Sequence, residues 1–233
     1  MCHKSCIIFA ARNLTSDEVK GRYVVEVGSR DVNGSLRPII KAWGAGRYVG
    51  LDIVKGPGVD VVGSAGDMTR VFGQESFDIV ISTEVIEHVR DWRETISNIK
   101  RVCRPGGTIL LTTRSKGYAY HGYPHDFWRY ELEDMEKIFS DFDILSLERD
   151  TEAPGVFLKA RKPSKFEEAD LSSVELYSML LGKRVVGIEG VDPKSLSFLP
   201  LTLKEKTKTI IFSAAKRLLK KIYPGLYYGY DSS

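Results

Sequence analysis

Cysteine is scarce in this chain of 233 residues, and the three present, Cys2, Cys6 and Cys103, are an odd set with no repeated spacing. A disulfide framework is thereby excluded. Cys2, His3 and Cys6 offer three possible ligands, but no fourth stands near them, so no metal site is assigned. Long apolar runs are missing as well. The N-terminal run Cys6 to Ala11 stops at Arg12 and Asn13, too short for the core of a secretion signal and far too short to span a bilayer. Neither sign of charge dominates: 34 Lys and Arg face 31 Asp and Glu, so nothing global points to nucleic acid. The expectation is a soluble, cytoplasmic protein whose 42% hydrophobic content builds a core without disulfides or structural metal.

What the chain does contain is an alternation of short β-branched runs with segments of helical period. Tyr23 to Val27 reads as a first strand, followed by a helix whose Leu36, Ile39, Ile40 and Trp43 share one face and which Gly44 and Gly46 close. Tyr48 to Ile53, Val59 to Val62 and Phe77 to Ser82 read as the next three strands. Asp91 and Glu94 then frame a helix start, with Trp92, Ile96, Ile99 and Cys103 on its inward face, and Pro105, Gly106 and Gly107 stop it. Thr108 to Thr113 is a fifth strand. Beyond a helix around Glu131 to Phe139, the strands Phe142 to Glu148 and Val156 to Ala160 are joined by a turn short enough to pair them antiparallel. This pattern predicts a doubly wound, mainly parallel α/β domain over residues 1–165. Residues 166–233 lose the alternation and read as a short helical extension.

An open parallel sheet binds its ligand beyond the carboxyl ends of its strands, so the segments after each strand carry the chemistry. After the first comes Glu26-Val-Gly28-Ser-Arg30, where Gly28 permits close backbone approach. The dinucleotide fingerprint G-x-G-x-x-G fails because its second glycine is Arg30, which argues against a nicotinamide-dependent oxidoreductase. The second strand ends in Asp52 and Ile53. A carboxylate placed there accepts hydrogen bonds from both hydroxyls of a ribose, the alternative being a surface or capping aspartate. After the third strand, the turn Ser64-Ala65-Gly66-Asp67 offers backbone and side-chain groups to a base edge, although Asp67 equally suits a helix cap. After the fourth, Ser82-Thr83-Glu84-Val85-Ile86-Glu87-His88-Val89 passes beneath the same ligand.

Taken in order, the acid-x-Gly turn Glu26-Val-Gly28, Asp52, the run Phe77 to Val89 and Arg104-Pro-Gly-Gly107 resemble class I S-adenosylmethionine-dependent methyltransferases over about residues 10 to 163. The resemblance implies a Rossmann-like seven-stranded sheet with an antiparallel final strand, and S-adenosylmethionine as cofactor. It places Glu26, Gly28 and Thr83 beside the methionine portion, Asp52 at the ribose, and Ser64, Ala65 and Asp67 along the adenine, with Ile53 a further cofactor-binding candidate. Arg30 stands where the family carries glycine, which leaves room for a non-catalytic binding or scaffold member of the fold.

The loop Arg114 to Tyr130 is long, aromatic and histidine-rich, and such loops are usually functional. Its stretch His121 to Tyr130 looks like that of methyltransferases acting on small molecules, glycans or lipids. A hydroxyl acceptor benefits from a base, so His121, His125 and Asp126 are the candidate catalytic residues. The competing reading makes Asp126 and Arg129 a structural pair within a packed loop. No N/D-P-P-Y-type motif follows the fourth strand, and Cys103 is placed on a helix, which argues against nucleic acid as substrate. The expected function is methyl transfer to oxygen of a small-molecule, glycan or lipid-linked acceptor. A homo-oligomer is compatible with all of this. Between Lys204 and Lys221, seven basic residues and one Glu flank an apolar stripe of Ile211, Ala215, Leu218 and Ile222. That segment suits peripheral contact of 204–233 with an anionic membrane, or packing on protein.

Overall fold

In a computed structural model of the chain, residues 4–32, 34–122 and 125–192 are described. The first strand of the sequence, β1 (Tyr23–Val27), becomes an interior strand of a sheet because its side chains alternate between two apolar faces. It pairs in parallel with β2 (Arg47–Asp52) through Val25 and Val49, and with β4 (Phe77–Thr83) through Val25 and Val80. Outward from β2 lies β3 (Val61–Val62), and outward from β4 lies β5 (Cys103–Arg114). The hairpin of β7 (Asp143–Arg149) and β8 (Gly155–Arg161) completes the order β3-β2-β1-β4-β5-β8-β7, with β8 antiparallel to both neighbours. The seven-stranded sheet with its antiparallel final strand is as expected.

Period-two alternation divides the core. Val24, Ile79, Ile81, Leu110 and Phe157 meet α1 (Lys4–Asn13), α2 (Ser16–Val19) and α3 (Arg37–Ala42) through Phe9, Val19 and Ile40, with Leu14 and Leu36 from the flanking residues. Val25, Val27, Val80, Ile109, Leu111, Val156 and Leu158 meet α4 (Met68–Phe72), α5 (Trp92–Val102) and α6 (Leu132–Ile138) through Met68, Ile96, Ile99, Met135 and Ile138. The helix α1 goes beyond the short apolar run read in the sequence. It buries Cys6, Phe9 and Ala10, with Phe9 and Phe157 ring centroids 5.1 Å apart. Asp91 caps α5 by accepting the Glu94 amide at 3.1 Å. Cys103 differs from its expected place: it is the first residue of β5 and fully buried, and burial pushes its thiol up to about 12.

The helical reading of the C-terminal extension does not hold for its described part. Residues 166–192 contain no helix; β9 (Leu176–Ser178) and β10 (Lys183–Val185) form a second sheet with β6 (Trp128–Arg129), in the order β10-β9-β6. Strands of two or three residues are too short for alternation to stand out from a helical period. What fixes them is tertiary. Arg93 donates to the carbonyls of Leu171 and Val174 at 2.8 and 2.6 Å, and Arg90 to those of Ile188 and Val191 at 2.8 and 2.6 Å. Leu171, Leu176, Leu180 and Ile188 join the core of the main sheet. The basic stretch 204–221 lies outside the described residues, as do Cys2 and His3. Among the described residues no helix is long and apolar enough to cross a membrane.

Because Leu176 is fully buried in that shared core, Leu176→Ala is expected to cost about 2–4 kcal/mol. Urea unfolding followed by circular dichroism should show one transition shifted to lower denaturant. An unchanged main transition would mean that 166–192 folds apart from the domain.

Candidate functional site

The strand ends expected to carry the site converge. Gly28 follows β1 with φ +74°, and a Cβ added to it would stand 2.2 Å from Val85 Cγ2, so only glycine lets the two connections pass. The Gly28 and Ser29 amides both donate to Leu51 O, at 2.8 and 3.1 Å. At the end of β2, Asp52 accepts the Arg30 amide at 3.1 Å on one oxygen and the Val54 amide at 2.9 Å on the other. That fixes the carboxylate at the strand end, while each oxygen keeps a second lone pair. Ile53 beside it is 61% exposed, an apolar side chain left without cover. Glu26 lies beneath Gly28, buried, accepting Tyr48 Oη at 2.6 Å and Ser35 Oγ at 3.4 Å. Burial pushes its carboxyl up to about 7 against these partners and the Arg37 charge.

The turn after β3 is a single 3₁₀ turn, Ala65–Asp67, capped by Ser64 Oγ accepting the Gly66 amide at 3.1 Å. Ala65 is buried, and Asp67 pairs with Arg70 rather than capping α4. Thr83 ends β4, buried. The Arg30 side chain runs along Gly56, its Nε, Cγ and Cδ 3.0–3.3 Å from where a Cβ on that glycine would stand. It covers the β2–β3 connection. Two buried hydroxyls near these strand ends, Ser29 Oγ and Ser82 Oγ, have no hydrogen-bond partner. With a fixed carboxylate, an exposed apolar side chain and orphan hydroxyls, these residues fit an adenosyl ligand.

Beyond Thr83 the chain turns sharply. Glu84 adopts φ +57°, a conformation that costs a non-glycine residue about 1–3 kcal/mol. It is held there by Arg114, by Thr112 Oγ1 donating at 3.0 Å and by Cys6 Sγ donating at 3.5 Å. Arg114 in turn pairs with buried Asp150 at 3.0 Å. A 3₁₀ turn, Ile86–His88, follows. It directs Glu87 into the interior, where Thr113 Oγ1 donates to Glu87 Oε2 at 2.9 Å.

The loop after β5 docks on this turn. The Phe127 amide donates to Glu87 O at 2.8 Å, Tyr130 Oη to Ile86 O at 3.1 Å, and Trp128 Nε1 to Val89 O and Arg90 O at 3.1 Å each. His88 Nδ1 donates to His125 O at 2.7 Å. Docking carries His121 over the turn, its ring centroid 4.7 Å from that of His88. His121 Nδ1 lies 2.8 Å from Asp126 Oδ2, and Asp126 is clamped by Arg129 at 2.5 and 2.6 Å. The Nε2 atoms of His121 and His88 stand 3.8 and 3.9 Å from Glu87 Oε1, which has no hydrogen-bond donor.

Charge in this cluster is unevenly shared. Burial opposes the His121 cation, but Asp126 and Glu87 outweigh it and hold the imidazole up at about 9. Burial also opposes the Glu87 anion, yet His121 and His88 bring its carboxyl down to about 2. For His88, burial prevails and lowers its affinity for a second proton. The structure thus brings His121 and Asp126 together, with Asp126 serving both as orienter of His121 and as structural partner of Arg129. His125 takes part through its carbonyl, while its ring packs on Phe127 with centroids 5.5 Å apart. Sequence reasoning placed Glu87 and His88 under the cofactor and missed their meeting with His121. The available signal was an adjacent Glu-His pair at one strand end facing a histidine-rich loop at the next.

Comparison with known proteins agrees with this fold. The family profile described as a methyltransferase domain matches residues 5–156, and the chain therefore belongs to that family. The resemblance to class I S-adenosylmethionine-dependent methyltransferases is borne out. A highly reducing polyketide synthase of Emericella nidulans is 26% identical over 119 residues, covering 46% of this chain and 5% of the synthase. The chain thus spans a small fraction of that relative's length. Among solved structures, the 1,6-didemethyltoxoflavin-N1-methyltransferase of Burkholderia thailandensis, with its substrate and S-adenosylhomocysteine bound, aligns with TM-score 0.56 at 13% identity over 68% of this chain and 78% of that one. Phosphoethanolamine N-methyltransferase 2 of Haemonchus contortus, with S-adenosylmethionine bound, aligns with TM-score 0.53 at 18% identity over 69% of this chain and 52% of that one. At these identities the likeness shows the fold.

Removing one partner of a buried pair leaves an uncompensated charge, so Arg129→Ala is expected to cost about 3–5 kcal/mol in urea unfolding. Adding Asp126→Ala should recover part of that loss. A cost below about 1 kcal/mol for Arg129→Ala would show that the pair does not hold the loop.

Proposed function

We propose that this methyltransferase-family chain uses S-adenosylmethionine to methylate a hydroxyl oxygen of a small-molecule, glycan or lipid-linked acceptor seated over His88 and His121. The observation that carries this reading is the pair of partly exposed imidazoles around an ionised, buried Glu87, beyond the ends of β4 and β5. A hydroxyl gives up its proton as it attacks, and a positioned general base contributes about 10²–10⁴-fold to such a step.

Asp52 takes the ribose hydroxyls in this reading, and Ile53 covers one face of the adenine. Ser64, Ala65 and Asp67 line its edge, and Glu26, Gly28 and Thr83 border the methionine portion. When bound, the cofactor supplies an electrophilic methyl group whose C–S electron pair departs with sulfur. The chain's own residues orient the acceptor and exclude water. His88, with its Nδ1 proton committed to the His125 carbonyl, keeps an Nε2 lone pair that can receive the acceptor proton. His121 and Asp126 orient the acceptor, and His125 serves through its carbonyl. His88 Nε2 would equally receive a proton from an amine, and the aligned Burkholderia and Haemonchus enzymes are N-methyltransferases. Nitrogen is therefore the competing acceptor atom.

Incubation with methyl-labelled S-adenosylmethionine and a panel of phenols, sugars, prenol-linked lipids and primary amines is expected to label hydroxyl members. Labelling confined to amines would replace oxygen by nitrogen. Asp52→Ala should weaken S-adenosylhomocysteine binding about 10- to 150-fold, the range for hydrogen bonds to a charged group. Unchanged calorimetric affinity would remove the ribose assignment.

A pH effect follows from Glu26, whose carboxyl titrates near 7. Its anion is the form that attracts the amino group of the cofactor's methionine portion. Affinity for S-adenosylhomocysteine should accordingly rise about 10-fold between pH 6 and pH 8 as the proton leaves, and Glu26→Gln should flatten that rise. Affinity that falls over the same window would contradict the placement of Glu26.

A further inference from the structure

We propose that Glu87, His88 and His121 form a binding site for one divalent transition-metal ion, held by two imidazole nitrogens and one carboxylate oxygen. Their ligating atoms all lie within 4.8 Å of one another, although the residues come from two connections, one after β4 and one after β5. Nothing in the sequence spacing marks them as a ligand set.

Two of the three groups have their other polar atom hydrogen-bonded, and the third, His121 Nδ1, lies at ion-pair distance from a carboxylate. His88 Nδ1 donates to the His125 carbonyl at 2.7 Å, His121 Nδ1 sits 2.8 Å from Asp126 Oδ2, and Glu87 Oε2 accepts from Thr113 at 2.9 Å. What remains are His88 Nε2, His121 Nε2 and Glu87 Oε1, and these are the atoms that face each other. Metal-bound histidines characteristically give their second nitrogen to a carbonyl or a carboxylate, which fixes ring orientation and raises basicity. The carbonyl arrangement occurs at His88, and at His121 the carboxylate stands at ion-pair distance, itself anchored by Arg129. Glu87 is fully buried and its Oε1 has no hydrogen-bond donor; the His121 cation 3.8 Å away offsets its charge, and a metal ion would complete the oxygen at bonding distance.

The dimensions are close to those needed. Ligands about 2.1 Å from one ion stand roughly 3.0–3.4 Å apart, so the 3.8 and 3.9 Å separations close by small side-chain rotations. Two nitrogens and one oxygen suit zinc, iron or another imidazole-binding transition metal. They disfavour calcium and magnesium, which take oxygen ligands. Three protein ligands leave a coordination position for an acceptor oxygen, which the ion would polarise as a Lewis acid. That use keeps the acceptor of the reading above but not its base: with the ion bound, His88 Nε2 is a ligand and the polarised acceptor loses its proton to solvent, while the site itself rests on the geometry.

The test is metal occupancy of the full chain after dialysis against a chelator. Titration with Zn²⁺ by calorimetry is expected to give one ion per chain. Titration with Co²⁺ should give visible d–d bands without the near-ultraviolet absorption of a thiolate ligand. Glu87→Gln and His121→Ala should each weaken binding at least about 10-fold, and Asp126→Asn about 10- to 100-fold. Cys2→Ala with His3→Ala should leave binding unchanged. Absence of binding to the unmutated chain, a Co²⁺–thiolate band, or binding that survives Glu87→Gln and His121→Ala would each overturn the proposal. Because the Co²⁺ spectrum is read on the unmutated chain, a variant that fails to fold does not blunt the test. Since occupancy is measured without methyl transfer, failure here and failure of the methylation assays remain distinguishable.

Discussion

The site depends on one docking event, the seating of residues 125–130 on the turn that follows β4. Three successive stretches of that turn offer carbonyls, at Ile86, Glu87, and Val89 with Arg90, and each is taken by a donor from Tyr130, Phe127 or Trp128. Buried carbonyls must find partners. A turn directed inward by Glu84 therefore needs another segment to satisfy it. The loop does so and, in the same step, brings His121 and Asp126 over Glu87 and His88.

The rest of the architecture serves that arrangement. The strained Glu84 is sustained by Arg114, Thr112 and Cys6, so the helix α1 and strand β5 both support the turn from beneath. The loop is supported from the other side by β9, where Trp128 pairs with Ser178 and the Met179 amide donates to Phe127 O at 2.8 Å. Around this turn and loop, buried charge forms two groups, Glu84–Arg114–Asp150 and Glu87–His121–Asp126–Arg129. Such groups give less net stability than apolar packing of the same volume. Their presence at the carboxyl ends of the central strands accords with a functional use.

Much of the frame was legible because it is local. The run Tyr23 to Val27 alternates between two faces, Asp91 caps α5, and the short turn at Pro154 and Gly155 forces an antiparallel hairpin. The ordered motifs Glu26-Val-Gly28, Asp52, Phe77 to Val89 and Arg104 to Gly107 were enough to suggest the family. Less of the site could be read. His121 and Glu87 are thirty-four residues apart, and their meeting is set by a loop whose path no periodicity encodes. The sheet of β6, β9 and β10 was missed for a related reason: its strands are short, and Arg90 and Arg93 hold the following segment through side-chain bonds to carbonyls. Asp126 and Arg129 were read correctly as a possible pair, since i, i+3 spacing is a local signal, whereas the charge that Asp126 confers on His121 needed coordinates.

The most direct measurement of this account is residue-resolved amide hydrogen exchange by NMR. If the loop is docked as described, the Phe127, Tyr130 and Met179 amides, which donate to Glu87 O, Arg114 O and Phe127 O, exchange as slowly as core amides of β4 and β5. Exchange of these three at the rate of an open surface loop, while β4 and β5 stay protected, would contradict the claim that docking builds the site.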